Sequence, residues 1–130
     1  MKFEHLYVLC LDGNGRLLSD VLLQRGTTDS APMYIRHILA EIARTRAHAI
    51  VIGHNHPGST LRPSNADVSA TLNLMSALYP IGVQLLDHII IADGTPVSMR
   101  STGVILEKVW VAQAPENKLI RRWLEGYDGL

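Results

Sequence analysis

Two short stretches of the sequence hold residue types that can do chemistry together: His54-Asn55-His56-Pro57 and Ser64-Asn65-Ala66-Asp67. In an extended segment, residues two apart project to the same side. His54 and His56 can therefore present two imidazoles to one point. The Gly-, Pro- and Ser-rich stretch from Pro57 to Pro63 then returns the chain. Asp67 falls three residues after Ser64, in the first turn of an expected helix, where it can face back toward the histidines. Two His and one carboxylate form the ligand set of a catalytic zinc site with an open fourth position. Zinc held this way lowers the pKa of its water to near ~7 and yields a hydroxide nucleophile at neutral pH. Such a site also needs a carboxylate to move protons.

Each half of this constellation has a plainer reading. His-x-His by itself is common in loops that bind nothing. Ser64-x-x-Asp67 by itself is a capping box, with Asp67 favoured by the helix dipole. The combination at the carboxyl end of a central strand favours the metal, because α/β folds place ligands there.

The elements that must position these residues follow from pattern. Glu4 to Leu11 is apolar and β-prone, and the Asp12-Gly13-Asn14-Gly15 cluster after it signals a hairpin. Arg16 to Gln24 reads as the returning strand, and Gly26 to Ser30 as loop. Pro32 suits a first helical turn. Ile35, Ile38, Leu39 and Ile42 recur at helical spacing, which predicts a helix from Ala31 to about Arg46. Ala49 to Ile52 reads as a buried strand parallel to an earlier one and ending at Gly53-His54. Ser64 is an N-cap, and Val68, Leu72, Met75 and Tyr79 are expected on one face of the second helix. Pro80-Ile81-Gly82 stops it. Val83 to Ala92 is a strand, and Asp93-Gly94-Thr95-Pro96 turns into a short strand from Val97 to Met99. A tail helix is expected from Glu116 to Glu125. The fold class is α/β (α+β): a mixed β-sheet flanked by helices, in the order ββαβαββ.

The 130 residues read as one domain, and 47% of them are hydrophobic, which fits a folded core. Twelve Lys and Arg balance twelve Asp and Glu. A dedicated nucleic-acid binder would carry a basic excess. The one cysteine, Cys10, lies in an apolar run and is expected in the core rather than as a nucleophile. Neither a signal peptide nor an apolar run of ~20 residues is expected, so the cytoplasm is the default compartment. Lys118, Arg121 and Arg122 beside Trp123 favour a solvated face or a homodimer contact over nucleic acid.

Taken together, His54-Asn55-His56-Pro57, six residues, and Ser64-x-x-Asp67 resemble the JAMM (MPN+) metal signature of the JAB superfamily, in its RadC-like branch. The likeness extends over about residues 4 to 100. It includes Glu4 before Val8-Leu9-Cys10-Leu11-Asp12, Gly26-Thr27 before Asp29-Ser30, Leu86-Asp87-His88-Ile89-Ile90 and Val97-Ser98. Two departures stand out. Pro57-Gly58-Ser59 replaces the usual Pro-Ser-Gly, and Tyr34-Ile35-Arg36-His37 replaces His-Pro-Arg-Glu.

The resemblance implies a JAB/MPN core of the cytidine deaminase-like kind, with 101–130 as a C-terminal extension. It implies a zinc-dependent metalloprotease or isopeptidase site holding one zinc per chain through His54, His56 and Asp67. It assigns Ser64 to a hydrogen bond on the tetrahedral intermediate, and Glu4 to carrying the water's proton to the leaving amine. The expected substrate is a peptide or isopeptide-linked protein. Longer relatives of this kind carry an N-terminal helix-hairpin-helix domain, which is not expected here, and DNA binding is correspondingly disfavoured. The rival functions are a non-catalytic or DNA-repair accessory module with a structural metal site, and a metal-dependent nuclease. His5, His37 and His48 are expected at the surface. His88, beside Asp87, is expected as a hydrogen-bonded structural histidine more than as support for a metal ligand.

Overall fold

In a computed structural model, residues 4–26, 31–55 and 62–113 are described. Strand β1 (Glu4–Leu11) and strand β2 (Leu17–Gly26) form an antiparallel hairpin. The turn between them closes on Asp12, whose carboxylate accepts from the Asn14 and Arg16 amides at 2.8 and 2.9 Å. Gly15 takes the positive φ of 81° that the turn requires. Helix α1 (Ala31–Thr45) carries the chain over to strand β3 (Ala49–Asn55). Helix α2 (Asn65–Leu78) leads through a 3-10 turn at Tyr79–Ile81 to strand β4 (Gln84–Ala92) and strand β5 (Thr95–Ser98). Gly82, at φ 71°, ends the 3-10 turn, as Pro80-Ile81-Gly82 implied. The order ββαβαββ is the expected one.

The sheet is mixed, in the order β2-β1-β3-β4-β5. β3 runs parallel to the earlier strand β2, as expected, since both are antiparallel to the β1 strand between them, and its hydrogen-bonded parallel neighbour is the later strand β4. The reason is the crossover. A helix between two strands returns the chain to the same end of the sheet, so α2 makes β3 and β4 parallel. β3 also extends further than expected. His54 pairs with Leu6 on one side and Ile90 on the other, so it belongs to the strand rather than to the loop after it.

The main core lies between one face of the sheet and the helices. Leu6, Val8, Cys10, Ile50, Ile52 and Ile90 pack there with Ile38 and Ile42 of α1 and Leu74, Met75 and Leu78 of α2. Cys10 is fully buried, as its apolar neighbours implied. The buried face of α2 matches the expected one only in part: Met75 is buried and Val68 packs against the core. Asp67, Thr71, Leu74, Met75 and Leu78 point inward, while Leu72 and Tyr79 are exposed. A count of apolar types missed this because two of the inward positions are polar.

Two short helices follow β5 that pattern did not reveal: α3 (Met99–Thr102) and α4 (Glu107–Ala112). Trp110 of α4 is fully buried. The Gln113 amide pairs with the backbone of Leu85, accepting from its N–H at 3.1 Å and donating to its carbonyl at 2.9 Å. The Gln84 amide donates to the Trp110 carbonyl at 2.8 Å. Two glutamines thus tie this segment to β4. The expected helix from Glu116 to Glu125, with Lys118, Arg121, Arg122 and Trp123, lies outside the described residues. No helix among the described residues is long and apolar enough to cross a membrane, which does not address β-barrels.

Candidate metal centre

The rim of the sheet is built from the last residues of β3, the first turn of α2 and the middle of β4. β-alternation turns Ile50, Ile52 and His54 to the helix-covered face, and His54 is 6% exposed. Ser64 caps α2 with a complete capping box. Its hydroxyl oxygen accepts from the Asp67 amide at 3.0 Å, and its own amide donates to Asp67 Oδ2 at 2.7 Å. This reciprocal pair fixes the Asp67 carboxylate. Oδ2 is held by the cap, while Oδ1 lies 3.2 Å from His54 Nε2. One carboxylate therefore both closes the cap and faces His54.

The electrostatics agree with a charged Asp67. Burial pushes its carboxyl upward, but the interaction with His54 and the Ser64 amide outweigh this and hold it well below the usual range.

Behind His54 stands a chain of buried polar groups. His54 Nδ1 is 2.7 Å from His88 Nε2, and His88 Nδ1 is 2.7 Å from Thr71 Oγ1. The Thr71 hydroxyl donates to the Asp67 carbonyl at 2.7 Å. His88 and Thr71 are 3% and 0% exposed, so neither meets bulk water. The neighbouring Asp87 is engaged by backbone and side-chain donors around it. It accepts from the His88 backbone N–H, the Ser98 hydroxyl and the Arg100 N–H, which seats the start of α3.

The five predicted site residues are placed unevenly. His54 and Asp67 are brought together, and Ser64 is at the cap beside them. Its hydroxyl proton is not used in the capping box. Glu4 is described by its backbone, at the start of β1 and two residues before Leu6, the partner of His54. β1 is thus the strand next to β3, as the Glu4 assignment needs. The Asn55 side chain reinforces this junction by accepting from the His5 backbone N–H at 2.5 Å. His56 lies outside the described residues. Among the described residues no cluster of three His, Cys, Asp or Glu side chains forms a complete ligand set. Thr71 was not singled out from the sequence. Its signal was its place four residues after Asp67, which puts both on one helix face.

The residues present fit a zinc ion on one geometric test. Two ligand atoms each ~2.0–2.1 Å from zinc at a tetrahedral angle lie about 3.3–3.4 Å apart. His54 Nε2 and Asp67 Oδ1, at 3.2 Å, are close to that span. His48 is exposed as expected, whereas His5 and His37 are half-buried rather than solvated.

Comparison with known proteins finds relatives over most of the chain. A family model described as the RadC-like JAB domain matches residues 1–104. A UPF0758 protein of Bordetella bronchiseptica is 40% identical over 102 residues, covering 78% of this chain and 45% of the relative. One from Vibrio parahaemolyticus is 37% identical, covering 78% and 46%. One from Marinomonas is 39% identical with the same coverage. The chain thus spans just under half the length of these relatives.

Proposed function

The chain belongs to the RadC-like JAB domain family, and from that premise we propose that it is a zinc metallohydrolase cleaving an amide or isopeptide bond. The observation that carries the reading is the 3.2 Å approach of His54 Nε2 to Asp67 Oδ1 at the sheet rim. His54, His56 and Asp67 would hold one zinc. Bound there, the ion would supply a Lewis acid able to lower the pKa of a water toward ~7.

The chain's own residues do the rest. Asp67 stays ionised because the Ser64 amide of the cap donates to its carboxylate. Ser64 keeps its oxygen on the α2 amide, which leaves its hydroxyl proton to donate to an oxyanion beside the site. Glu4 opens the strand adjacent to His54 and is the candidate for carrying a proton from water to the leaving amine. The substrate is proposed as a peptide or isopeptide-linked protein.

Metal content and turnover test this together. Purified protein should hold about one zinc per chain, and Asp67→Ala or His56→Ala should lose it. Glu4→Gln should keep the zinc and lose hydrolysis. A correctly folded protein that cannot be loaded with zinc removes the reading. The complete capping box favours one rival, a non-catalytic module in which Ser64 and Asp67 only close a helix. That rival predicts that Glu4→Gln leaves every cellular phenotype unchanged.

A further inference from the structure

We propose that His88 and Thr71 form a positioning relay that fixes the His54 imidazole with its proton on Nδ1 and its Nε2 lone pair aimed at the cation shared with Asp67. The proposal rests on the metal reading above and adds two residues to it.

The proton positions are set outward from the backbone. A carbonyl oxygen can only accept, so the 2.7 Å contact between Thr71 Oγ1 and the Asp67 carbonyl uses the hydroxyl proton. Thr71 Oγ1 must then accept from His88, also at 2.7 Å, which places the His88 proton on Nδ1. In a neutral His88 the other nitrogen, Nε2, is the acceptor. It lies 2.7 Å from His54 Nδ1, so His54 donates there. A neutral His54 then presents the Nε2 lone pair to Asp67 Oδ1, 3.2 Å away. Two acceptors face one another at that distance, and a cation between them turns repulsion into shared coordination. With both imidazoles neutral, every proton along the chain follows in sequence from one backbone carbonyl.

The relay is also closed in space. It leaves β3 at His54, crosses to β4 at His88, enters α2 at Thr71 and returns through the backbone of Asp67, the second ligand. Rotation of the His54 ring would break a buried hydrogen bond and leave a donor and an acceptor unpaired away from water, which is strongly disfavoured. Histidine ligands generally donate their second ring N–H to an oriented acceptor, and losing that acceptor costs about 10–100-fold in metal affinity. Here the acceptor is a second histidine, itself oriented by a threonine.

The test uses the full chain and zinc alone, with affinity measured by competition against a chromophoric chelator. Thr71→Val keeps the shape and removes the hydroxyl, while Thr71→Ser keeps the hydroxyl. His88→Leu removes both ring nitrogens. Thr71→Val and His88→Leu should weaken zinc binding by about 10–100-fold, and Thr71→Ser should bind near the wild-type level. Circular dichroism and Tm of the zinc-free proteins report the fold separately. If His88→Leu does not fold, the two threonine variants still decide. Nitrogen-15 spectra of the zinc-loaded wild type should show the His54 proton on Nδ1. Folded Thr71→Val that binds zinc like wild type overturns the relay alone, as does a His54 proton found on Nε2. A folded wild type that takes up no zinc removes the metal reading and the relay with it.

Discussion

Helices α1 and α2 each bury one carboxylate against the same core, and the two carboxylates are completed differently. Glu41 of α1 and Asp67 of α2 are each 8% exposed. Glu41 is satisfied within the chain. The Arg44 guanidinium donates to both its oxygens, at 2.9 and 2.5 Å, and the Ser19 hydroxyl donates at 2.8 Å. Its partner is a permanent cation. Asp67 faces the Nε2 of an imidazole, which donates when that nitrogen carries a proton and can bind a metal when it does not. A buried carboxylate supplied with its own arginine is part of the scaffold. One paired with an oriented histidine is, on the proposed reading, arranged for a charge that comes from outside.

The strongest way to break this contrast is to delete each carboxylate and count zinc. Asp67→Ala should abolish zinc binding, from about one per chain to none. Glu41→Ala should leave the stoichiometry untouched. Equal losses in the two variants would mean that Asp67 acts only through the fold. A second comparison sharpens the packing of α2 itself. Leu78 is fully buried, and Leu78→Ala should cost about 2–5 kcal/mol in denaturant unfolding. Leu72 is 40% exposed, and Leu72→Ala should stay within about 0.5 kcal/mol. The face expected from apolar spacing makes the opposite prediction for Leu72.

That reversal marks what was legible in the sequence. Strand alternation, the Asp12–Gly15 turn and the Ile35–Ile42 stripe obey local rules, and each formed where pattern placed it. His54, Ser64 and Asp67 were legible because their types and spacing are rare together. The inward face of α2 was not, because hydropathy places Thr71 and Asp67 outside while the site draws them in. The link from His88 to Thr71 joins residues 17 apart on a strand and a helix. Only the tertiary fold brings them together. The Gln84 and Gln113 contacts to α4 and β4 escaped for the same reason. Polar residues carry no periodic signal, and their partners are backbone atoms.

The smallest expected effect separates the two carboxylates by pH. The Arg44 hydrogen bonds, with help from Ser19, hold the Glu41 carboxyl below its ordinary value of 4.5 despite burial. As pH falls, the unfolded chain takes up this proton before the folded one. The stabilisation from Glu41 is therefore present above about pH 4.5 and is lost as pH drops toward the depressed folded value. Glu41→Gln should lower Tm by a few degrees at pH 7, and the gap to wild type should close under acid. The Arg44 side chain is 62% exposed, so solvent screening keeps the effect small. Added zinc should leave the Glu41→Gln gap unchanged, since this carboxylate already has its cation. For Asp67→Asn, zinc should widen the gap, because only the wild type gains the stabilisation of binding. A Glu41 gap that grows with zinc, or persists in acid, would show that the two buried carboxylates are not independent.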